Sequence, residues 1–287
     1  MTRTAAPRNR TRLIGVLSLS LLAAAFGVPA SAAAADTLTV PQAELRMVDV
    51  LNADRSKAGL VPLRVDTRLM TIARNRSNDM SAKNYFSHTQ PDGRDIFDLI
   101  AAAKITWYGA GEIIAWNNYP TFETSIQAAN TGWLNSSGHR PLIMSSSYNY
   151  VGVGLAVQAS TGKKYWTAVF LKGPDRTGAR ATTTTPTVTN GATATTKKVT
   201  VTWSGADVPL QVLTSGFHSY QVQRRTDAGA WATVWASTTN RSMTLQLATT
   251  HTYEFRVAAR DKAGNWGAWS TVKATLAAPS GSAVVRR

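Results

Sequence analysis

A stretch without apolar periodicity divides this chain, and it constrains the architecture more than any other feature. Between Gly173 and Thr196 the sequence is dominated by Thr, Ala and Pro, whereas both flanks show regular patterns of apolar residues. Such a composition is typical of a linker. A chain of 287 residues is long enough for two domains with separate cores. We therefore predict a first domain over 41–173, a linker over 174–196 and a second domain over 186–277.

The N-terminus has the pattern of an export signal. Four arginines precede or open an apolar run over 13–26, and the small residues Ala30, Ser31 and Ala32 follow it. An uncleaved membrane anchor is the alternative, but the run is shorter than the roughly 20 apolar residues that a spanning helix needs. We expect a cleaved signal peptide over 1–32 and an extracellular mature protein.

Composition narrows the function classes. Cysteine is absent, which excludes a disulfide framework and a thiol nucleophile. The net charge is +15, and residues 33–177 carry 15 basic and 12 acidic side chains, whereas the remainder from 178 carries 12 and 4. A basic second half favours a lipid surface or a cell-wall polymer as partner, and a solvated basic surface without a partner is the alternative. No feature indicates a specific nucleic-acid partner, and the oligomeric state is left open.

The first domain combines helices and strands. Apolar residues recur at helical spacing over 66–83, behind Asp66 as a candidate N-cap, and over 121–134. The segments 150–157 and 165–171 alternate or are rich in β-branched and aromatic residues, which predicts strands. The expected fold class of this domain is α+β, with helices on a short sheet.

The second domain shows only strand patterns. Short segments with one apolar face are separated by turn residues, which is typical of an immunoglobulin-like β-sandwich. The predicted strands are 198–203, 219–225, 231–236, 242–247, 252–259 and 270–276.

Three polar residues of the first domain are candidates for chemistry. His88 and His139 stand in segments rich in small and polar residues, where an imidazole can bind a metal or transfer a proton near neutral pH. Glu112 opens the apolar run Ile113-Ile114-Ala115-Trp116, so its carboxylate needs a histidine or a cation as partner. A capping or surface role for Glu112 is the alternative.

These residues belong to an ordered set of motifs that resembles the CAP (SCP/PR-1-like, cysteine-rich secretory protein) domain in its bacterial form. The set comprises Asn52-Ala-Asp-Arg55, Leu69 with Ala73, Phe86-Ser-His88, Gly111-Glu112, Trp133-Leu-Asn-Ser-Ser-Gly-His139-Arg, Val151-Gly-Val-Gly154 and Tyr165-Trp-Thr-Ala-Val-Phe170. The resemblance implies an α-β-α sandwich whose cavity gathers His88, Glu112 and His139. In some family members this site holds a divalent cation such as zinc, so the resemblance makes these three residues metal-site candidates.

Two departures from the family pattern bear on that metal site. The family's Gly-Glu-Asn is here Gly111-Glu112-Ile113, which removes a polar group beside the carboxylate. The eukaryotic branch has a histidine in a Gly-His-Tyr-Thr-Gln segment, and the similar stretch here is Gly162-Lys163-Lys164-Tyr165-Trp166-Thr167. A metal site like that of the eukaryotic branch would lack this ligand unless His139 replaces it.

The second domain resembles a fibronectin type III domain. The residues that carry this resemblance are Trp203, Tyr220, Leu247, Tyr253, Val257 and the segment Ala263-Gly-Asn-Trp-Gly-Ala-Trp-Ser270. The resemblance implies that Trp203 fills the core and that Tyr253 is the tyrosine corner. Trp266 and Trp269 either offer a face to sugars or stack on Arg256 and Arg260.

Three functions remain open at this point. The first is a secreted binding protein that holds an apolar or envelope-derived ligand in the His/Glu cleft, with the second domain as a tether. The second is a metal-assisted hydrolase in which Glu112 is a ligand or general base. The third is an adhesin in which the His/Glu cluster is structural. Standard hydrolase motifs such as G-x-S-x-G and H-E-x-x-H are absent from the sequence, which favours binding over catalysis.

Overall fold

The computed structural model describes residues 37–276. The predicted signal peptide therefore lies outside the described residues. The first part of the described chain contains five helices and four strands. They are α1 (Val40–Lys57), β1 (Arg64–Val65), α2 (Thr67–Lys83), α3 (Ile96–Ala102), β2 (Gly109–Asn117), α4 (Phe122–Asn135), α5 (Arg140–Ile143), β3 (Tyr150–Val157) and β4 (Lys164–Lys172). The two predicted helices and two predicted strands are confirmed as α2, α4, β3 and β4.

The four strands form one sheet with the order β1-β3-β4-β2, in which β1 runs parallel to β3 and the other pairs are antiparallel. One sheet face packs against α1, α4 and α5 through Val151, Val153, Trp166 and Phe170. The opposite face packs against α2 and α3. This α-β-α layering agrees with the expected α+β class, and it leaves β2 as an edge strand.

Helix α2 lies directly on strand β3. At Gly152 and Gly154 an added Cβ would overlap the backbone of α2 at Leu69 and Ala73. The absence of a side chain at both glycines therefore permits the close approach. This contact holds α2 against the sheet and sets the distance between its inner face and strand β2.

The remainder of the described chain is a β-sandwich, as predicted. Its strands are β5 (Arg180–Thr183), β6 (Thr187–Asn190), β7 (Thr196–Ala206), β8 (Phe217–Thr226), β9 (Ala232–Thr238), β10 (Ser242–Ala248), β11 (Tyr253–Asp261) and β12 (Ser270–Ala274). One sheet has the order β10-β7-β5, with β6 also paired to β7, and the other has the order β12-β11-β8-β9. Trp203 is buried between them, as expected. Tyr253 is buried there as well, and its role as a tyrosine corner stays a prediction.

The structure differs from the predicted linker over 174–196, because two segments of it are strands. Strands β5 and β6 pair only with β7, and much of their length is exposed. Both strands are four residues long, rich in Thr and largely exposed, so neither has to bury an apolar face. Their sequence therefore lacks the alternation of apolar and polar residues by which longer strands are recognised.

The two parts pack as one compact unit. The docking loop, which we define as residues 207–216 between β7 and β8, inserts Leu210 into the hydrophobic cluster formed by α2, α3 and the sheet. The side-chain amide of Asn149 donates to the carbonyl of Val212 at 3.3 Å. Within residues 37–276, no helix combines the length and apolar character needed to cross a bilayer.

Candidate functional site

The candidate site is built around a buried ion pair that joins α2 to the edge strand β2. Glu112 lies on β2, and its side chain is 2% exposed. Arg76 lies on α2 with a fully buried side chain, and its Nε donates to Glu112 Oε1 at 2.9 Å. Its Nη2 is 3.5 Å from Glu112 Oε2. The charge that Glu112 brings into the interior is thus compensated by a cation of the same chain.

Arg76 also organises the segment that follows α2. Its Nη1 donates to the hydroxyl of Tyr85 at 2.7 Å, and its Nη2 donates to the carbonyls of Ser87 and His88 at 2.7 and 3.1 Å. Burial lowers the pKa of Arg76, but the hydrogen bond and charge of Glu112 outweigh that effect and raise it overall. The guanidinium therefore remains charged and holds the loop that carries His88.

His88 completes the pairing of Glu112. Its Nδ1 lies 2.8 Å from Glu112 Oε2, and the ring is half-exposed. An ionised carboxylate can only accept a hydrogen bond, so the proton between the two groups is carried by Nδ1 of His88. When the ring is neutral, Nε2 is therefore its basic nitrogen. The arrangement presents one basic imidazole nitrogen at the mouth of the site.

His139 lies beside this pair at the start of α5. The centroids of the His88 and His139 rings are 6.4 Å apart, with the planes tilted by 55°. Burial, with a smaller contribution from the charge of His88, lowers the pKa of His139. A lowered pKa keeps His139 uncharged at neutral pH. The structure therefore brings His88 and Glu112 into contact and places His139 next to them, without a hydrogen bond between the rings.

Tyr85 is held by a further group of polar residues around Asp79. The Tyr85 hydroxyl donates to Asp79 Oδ2 at 2.7 Å, and burial together with Asp79 raises its pKa to about 12. Asp79 also accepts from Lys83 at 2.7 Å and from Gln90 at 3.2 Å. These hydrogen bonds outweigh the effect of burial and lower the pKa of Asp79 to about 2. Both groups thus keep their protonation states across the physiological range.

An aromatic groove of about 470 Å³ opens next to the histidines. Phe86, Trp116 and Tyr119, each about half exposed, line it together with His139 at one end. The indole Nε1 of Trp133 donates to the carbonyl of Ile114 at 2.9 Å, which fixes α4 against β2 and forms the groove floor. A second depression of about 630 Å³ along α4 shares Tyr119, Ala128 and Gly132 with the groove. The two depressions therefore adjoin each other on the surface of α4.

The predicted metal site has a donor set that is already engaged. Glu112 uses one oxygen for Arg76 and the other for His88 Nδ1. Among residues 37–276, the group of three potential ligands with donor atoms within 4.8 Å of one another is Asp175, Asp207 and Asp261. Asp175 and Asp261 are buried, and the carboxylates of all three accept hydrogen bonds from backbone N–H groups. In this arrangement Arg76 and His88 already occupy the two oxygens of Glu112, which is unfavourable for a cation, and zinc binding at the cluster stays an untested prediction.

Comparison with known proteins identifies the first part of the chain. The profile of the cysteine-rich secretory protein family, CAP, matches residues 48–170. Residues 48–170 form a CAP domain. The chain is 34% identical over 175 residues to the uncharacterised protein YkwD of Bacillus subtilis, covering 59% of this chain and 63% of that relative. Because less than two thirds of the relative is covered, the activity of the whole protein is a matter for proposal.

Two solved structures are similar to separate parts of the chain. An extracellular protein containing an SCP domain from Bacillus anthracis is 30% identical over 48% of this chain and 45% of that chain, with a TM-score of 0.41. A human FNIII domain is 20% identical over 39% of this chain and 88% of that domain, with a TM-score of 0.28. At these scores neither likeness carries an argument, and the fibronectin type III assignment stays a proposal.

Arg76 is the residue of the CAP domain that sequence reasoning missed. It falls seven positions after Leu69, three after Ala73 and four before Met80, and thus on the apolar stripe of α2. A charged residue on such a stripe requires a buried partner of opposite charge. That signal, combined with Glu112 at the start of an apolar strand, was available in the sequence.

Proposed function

We propose that the CAP domain binds an apolar or amphipathic ligand from the cell envelope in the aromatic groove, and that the basic sandwich tethers the exported protein. The observation that carries this proposal is the exposure of three large aromatic side chains around one concave surface. Phe86, Trp116 and Tyr119 are each about half exposed, and all three line the same groove. Exposed apolar side chains that line a groove are typical of a ligand site.

The groove matches an amphipathic ligand. Its sides are apolar, whereas its inner end carries His139 and the hydroxyl-bearing residue Ser136. An acyl chain or an isoprenoid would cover the aromatic rings, which contributes about 25 cal/mol per Å² of buried apolar surface. A polar headgroup would meet His139 and the exposed ring of His88. The adjoining depression along α4 leaves room for a ligand longer than the groove itself.

The proposed tether is the outward face of the sheet β12-β11-β8-β9. Arg256 lies between the rings of Trp231 and Trp269, 4.3 Å from each centroid, and Arg260 lies 5.6 Å from that of Trp266. Trp266 and Trp269 each contact an arginine in this way and also remain partly exposed. Because the arginines occupy aromatic faces, attraction by charge is the better supported means of contact with an anionic wall polymer.

Calorimetric titration with monomeric lysophosphatidylglycerol tests the binding proposal on protein that starts at Ala33. We expect saturable binding that weakens at least about tenfold in Trp116→Ala/Tyr119→Ala, because two groove walls are lost. The matched control is Tyr108→Ala, which removes an exposed aromatic outside the groove. No binding by the wild type, or equal affinity in both variants, would contradict the proposal.

Sedimentation with isolated cell-wall fragments tests the tether separately. Binding should be strong at low salt and weaken when the ionic strength rises to about 1 M, where the screening length falls to about 3 Å. The substitution Arg256→Gln/Arg260→Gln should release the protein, and charge removal on the CAP domain should not. Salt-independent sedimentation would exclude tethering by charge.

One observation favours hydrolysis as a second candidate. The 2.8 Å contact between His88 Nδ1 and Glu112 fixes the orientation of the imidazole and leaves Nε2 as its basic nitrogen. A histidine held in this way can act as a general base. Hydrolytic activity that survives His88→Ala together with His139→Ala would exclude this role. A purely structural cluster, the third hypothesis, predicts that the same variants lose stability and keep full affinity for the groove ligand.

A further inference from the structure

We infer that Arg76 is a built-in cation that takes the place of a divalent metal ion at the His/Glu cluster of this chain. The wild-type cluster then has little affinity for zinc, and neutralising Arg76 converts it into a zinc site. This inference is independent of the ligand proposed for the aromatic groove, because it concerns only the groups around Glu112.

The position of the positive charge is the first argument. Arg76 Nε and Nη2 lie 2.9 and 3.5 Å from the two oxygens of Glu112, and both side chains are buried. A zinc ion binds a carboxylate oxygen at about 2.0–2.2 Å. An ion bound to Glu112 would therefore lie within a few ångströms of the guanidinium, in surroundings that screen their repulsion poorly.

Arg76 is also held in place, which is the second argument. Its guanidinium donates to the Tyr85 hydroxyl and to the carbonyls of Ser87 and His88, in addition to Glu112. If the Arg76 side chain withdrew, these acceptors would lose their donor, and the buried charge of Glu112 would lose its partner. An incoming metal ion therefore cannot displace the guanidinium without a large cost.

The third argument is the number of donor atoms that remain. Glu112 Oε2 is occupied by His88 Nδ1 at 2.8 Å, so only Nε2 of His88 could bind an ion while that contact persists. His139 offers a second imidazole, 6.4 Å away between ring centroids. Two imidazoles without a free carboxylate fall short of the three protein ligands that zinc has in catalytic sites.

Neutralising Arg76 removes the competing charge and frees Oε1 of Glu112, the oxygen that Arg76 Nε occupies in the wild type. In Arg76→Gln the Glu112 carboxylate loses its counter-charge and stays next to His88 and close to His139. Two histidines and one carboxylate are a donor set that zinc accepts. The buried carboxylate of Glu112, now without a counter-charge, also attracts the zinc ion electrostatically.

The test is calorimetric titration of zinc into metal-stripped protein that starts at Ala33, at neutral pH. The proteins compared are the wild type, Arg76→Gln, Arg76→Lys and Arg76→Gln/His88→Ala. For the wild type we expect a dissociation constant for zinc of about 1 mM or weaker. In Arg76→Gln we expect the affinity to rise about a hundredfold, because a positive charge close to the bound ion has been removed. The gain should vanish in Arg76→Gln/His88→Ala. Arg76→Lys keeps the charge and should resemble the wild type.

Two results would overturn the inference. One is wild-type binding at about 10 µM or tighter that is lost in His88→Ala, and this arm needs no variant of Arg76. The other is an affinity that does not depend on the charge at position 76, seen either as no gain in a folded Arg76→Gln protein or as an equal gain in Arg76→Lys. Circular dichroism establishes folding, and Arg76→Met, which retains the apolar stem, replaces Arg76→Gln if the latter does not fold.

Discussion

Gln211 accepts a hydrogen bond at 2.7 Å from the backbone N–H of Val61, although the two residues are 150 positions apart. The same oxygen lies 3.4 Å from the guanidinium of Arg55, whose side chain is buried. The carbonyls of Ile143 and Ser145 accept from Arg55 at 2.8 Å each. Burial lowers the pKa of Arg55. The docking loop of the sandwich thus completes the hydrogen bonding of a buried cation in the CAP domain.

The first prediction concerns this docking loop. Leu210→Ala should lower the free energy of unfolding by about 2–3 kcal/mol, because Leu210 is buried in the cluster of the CAP domain. Leu213→Ala in the same loop should change it by less than about 0.5 kcal/mol, because Leu213 is exposed. Urea denaturation of both variants checks the difference. Equal effects would mean that the loop does not dock on the CAP domain in solution.

The second prediction concerns the buried ion pair. Glu112→Gln leaves the Arg76 charge buried without its partner, so the free energy of unfolding should fall by about 3–5 kcal/mol. Glu123→Gln breaks a pair with Arg46 in which both side chains are nearly half exposed, and it should cost less than about 1 kcal/mol. Denaturation curves at neutral pH compare the two. A small cost at Glu112 would show that water reaches the pair.

A third prediction follows from the pKa of Asp79. Hydrogen bonds from Lys83, Tyr85 and Gln90 lower this pKa from 3.8 to about 2. A lowered carboxylate pKa contributes stability that is present above 3.8 and is lost as the pH falls towards about 2. In Asp79→Asn the free energy of unfolding should therefore decrease less steeply across that window. Asp49→Asn, which removes an exposed acid of α1, serves as control.

Parallel stability curves for Asp79→Asn and the wild type would contradict this third prediction. Such a result would mean that the hydrogen bonds of Asp79 are not maintained in acidic solution. A change of the same size in Asp49→Asn would instead indicate a general effect of net charge.

The fourth prediction concerns the contact between α2 and β3. Gly154→Ala should lower the free energy of unfolding by about 3 kcal/mol, because the added methyl group would overlap the backbone of Ala73. Gly132→Ala on the exposed face of α4 has open space around it and should be neutral or stabilising by up to about 1 kcal/mol. Thermal and urea denaturation distinguish them. A neutral Gly154→Ala would show that α2 can move away from the sheet.

Local periodicity was sufficient for the regular elements of this protein. The stripe over 66–83 and the cap residue Asp66 predicted α2, in which Asp66 Oδ1 accepts from the N–H of Arg68 at 3.0 Å. The alternation over 150–157 predicted β3. These signals are local, because each helix or strand must bury one face whatever its partner is. The ordered motifs added the expectation that His88, Glu112 and His139 lie together in a CAP domain.

Only the tertiary structure decided which groups meet. The apolar run after Glu112 was enough to predict that its carboxylate has a partner. That this partner is Arg76 depends on how closely α2 approaches β2. The strand character of β5 and β6 comes from pairing with β7, since their Thr-rich segments have no apolar pattern. Gln211 reaches Val61 because the docking loop packs on the CAP domain. Hydrophobic patterns specify that a face is buried, whereas contacts between distant segments are selected by the packing of the whole chain.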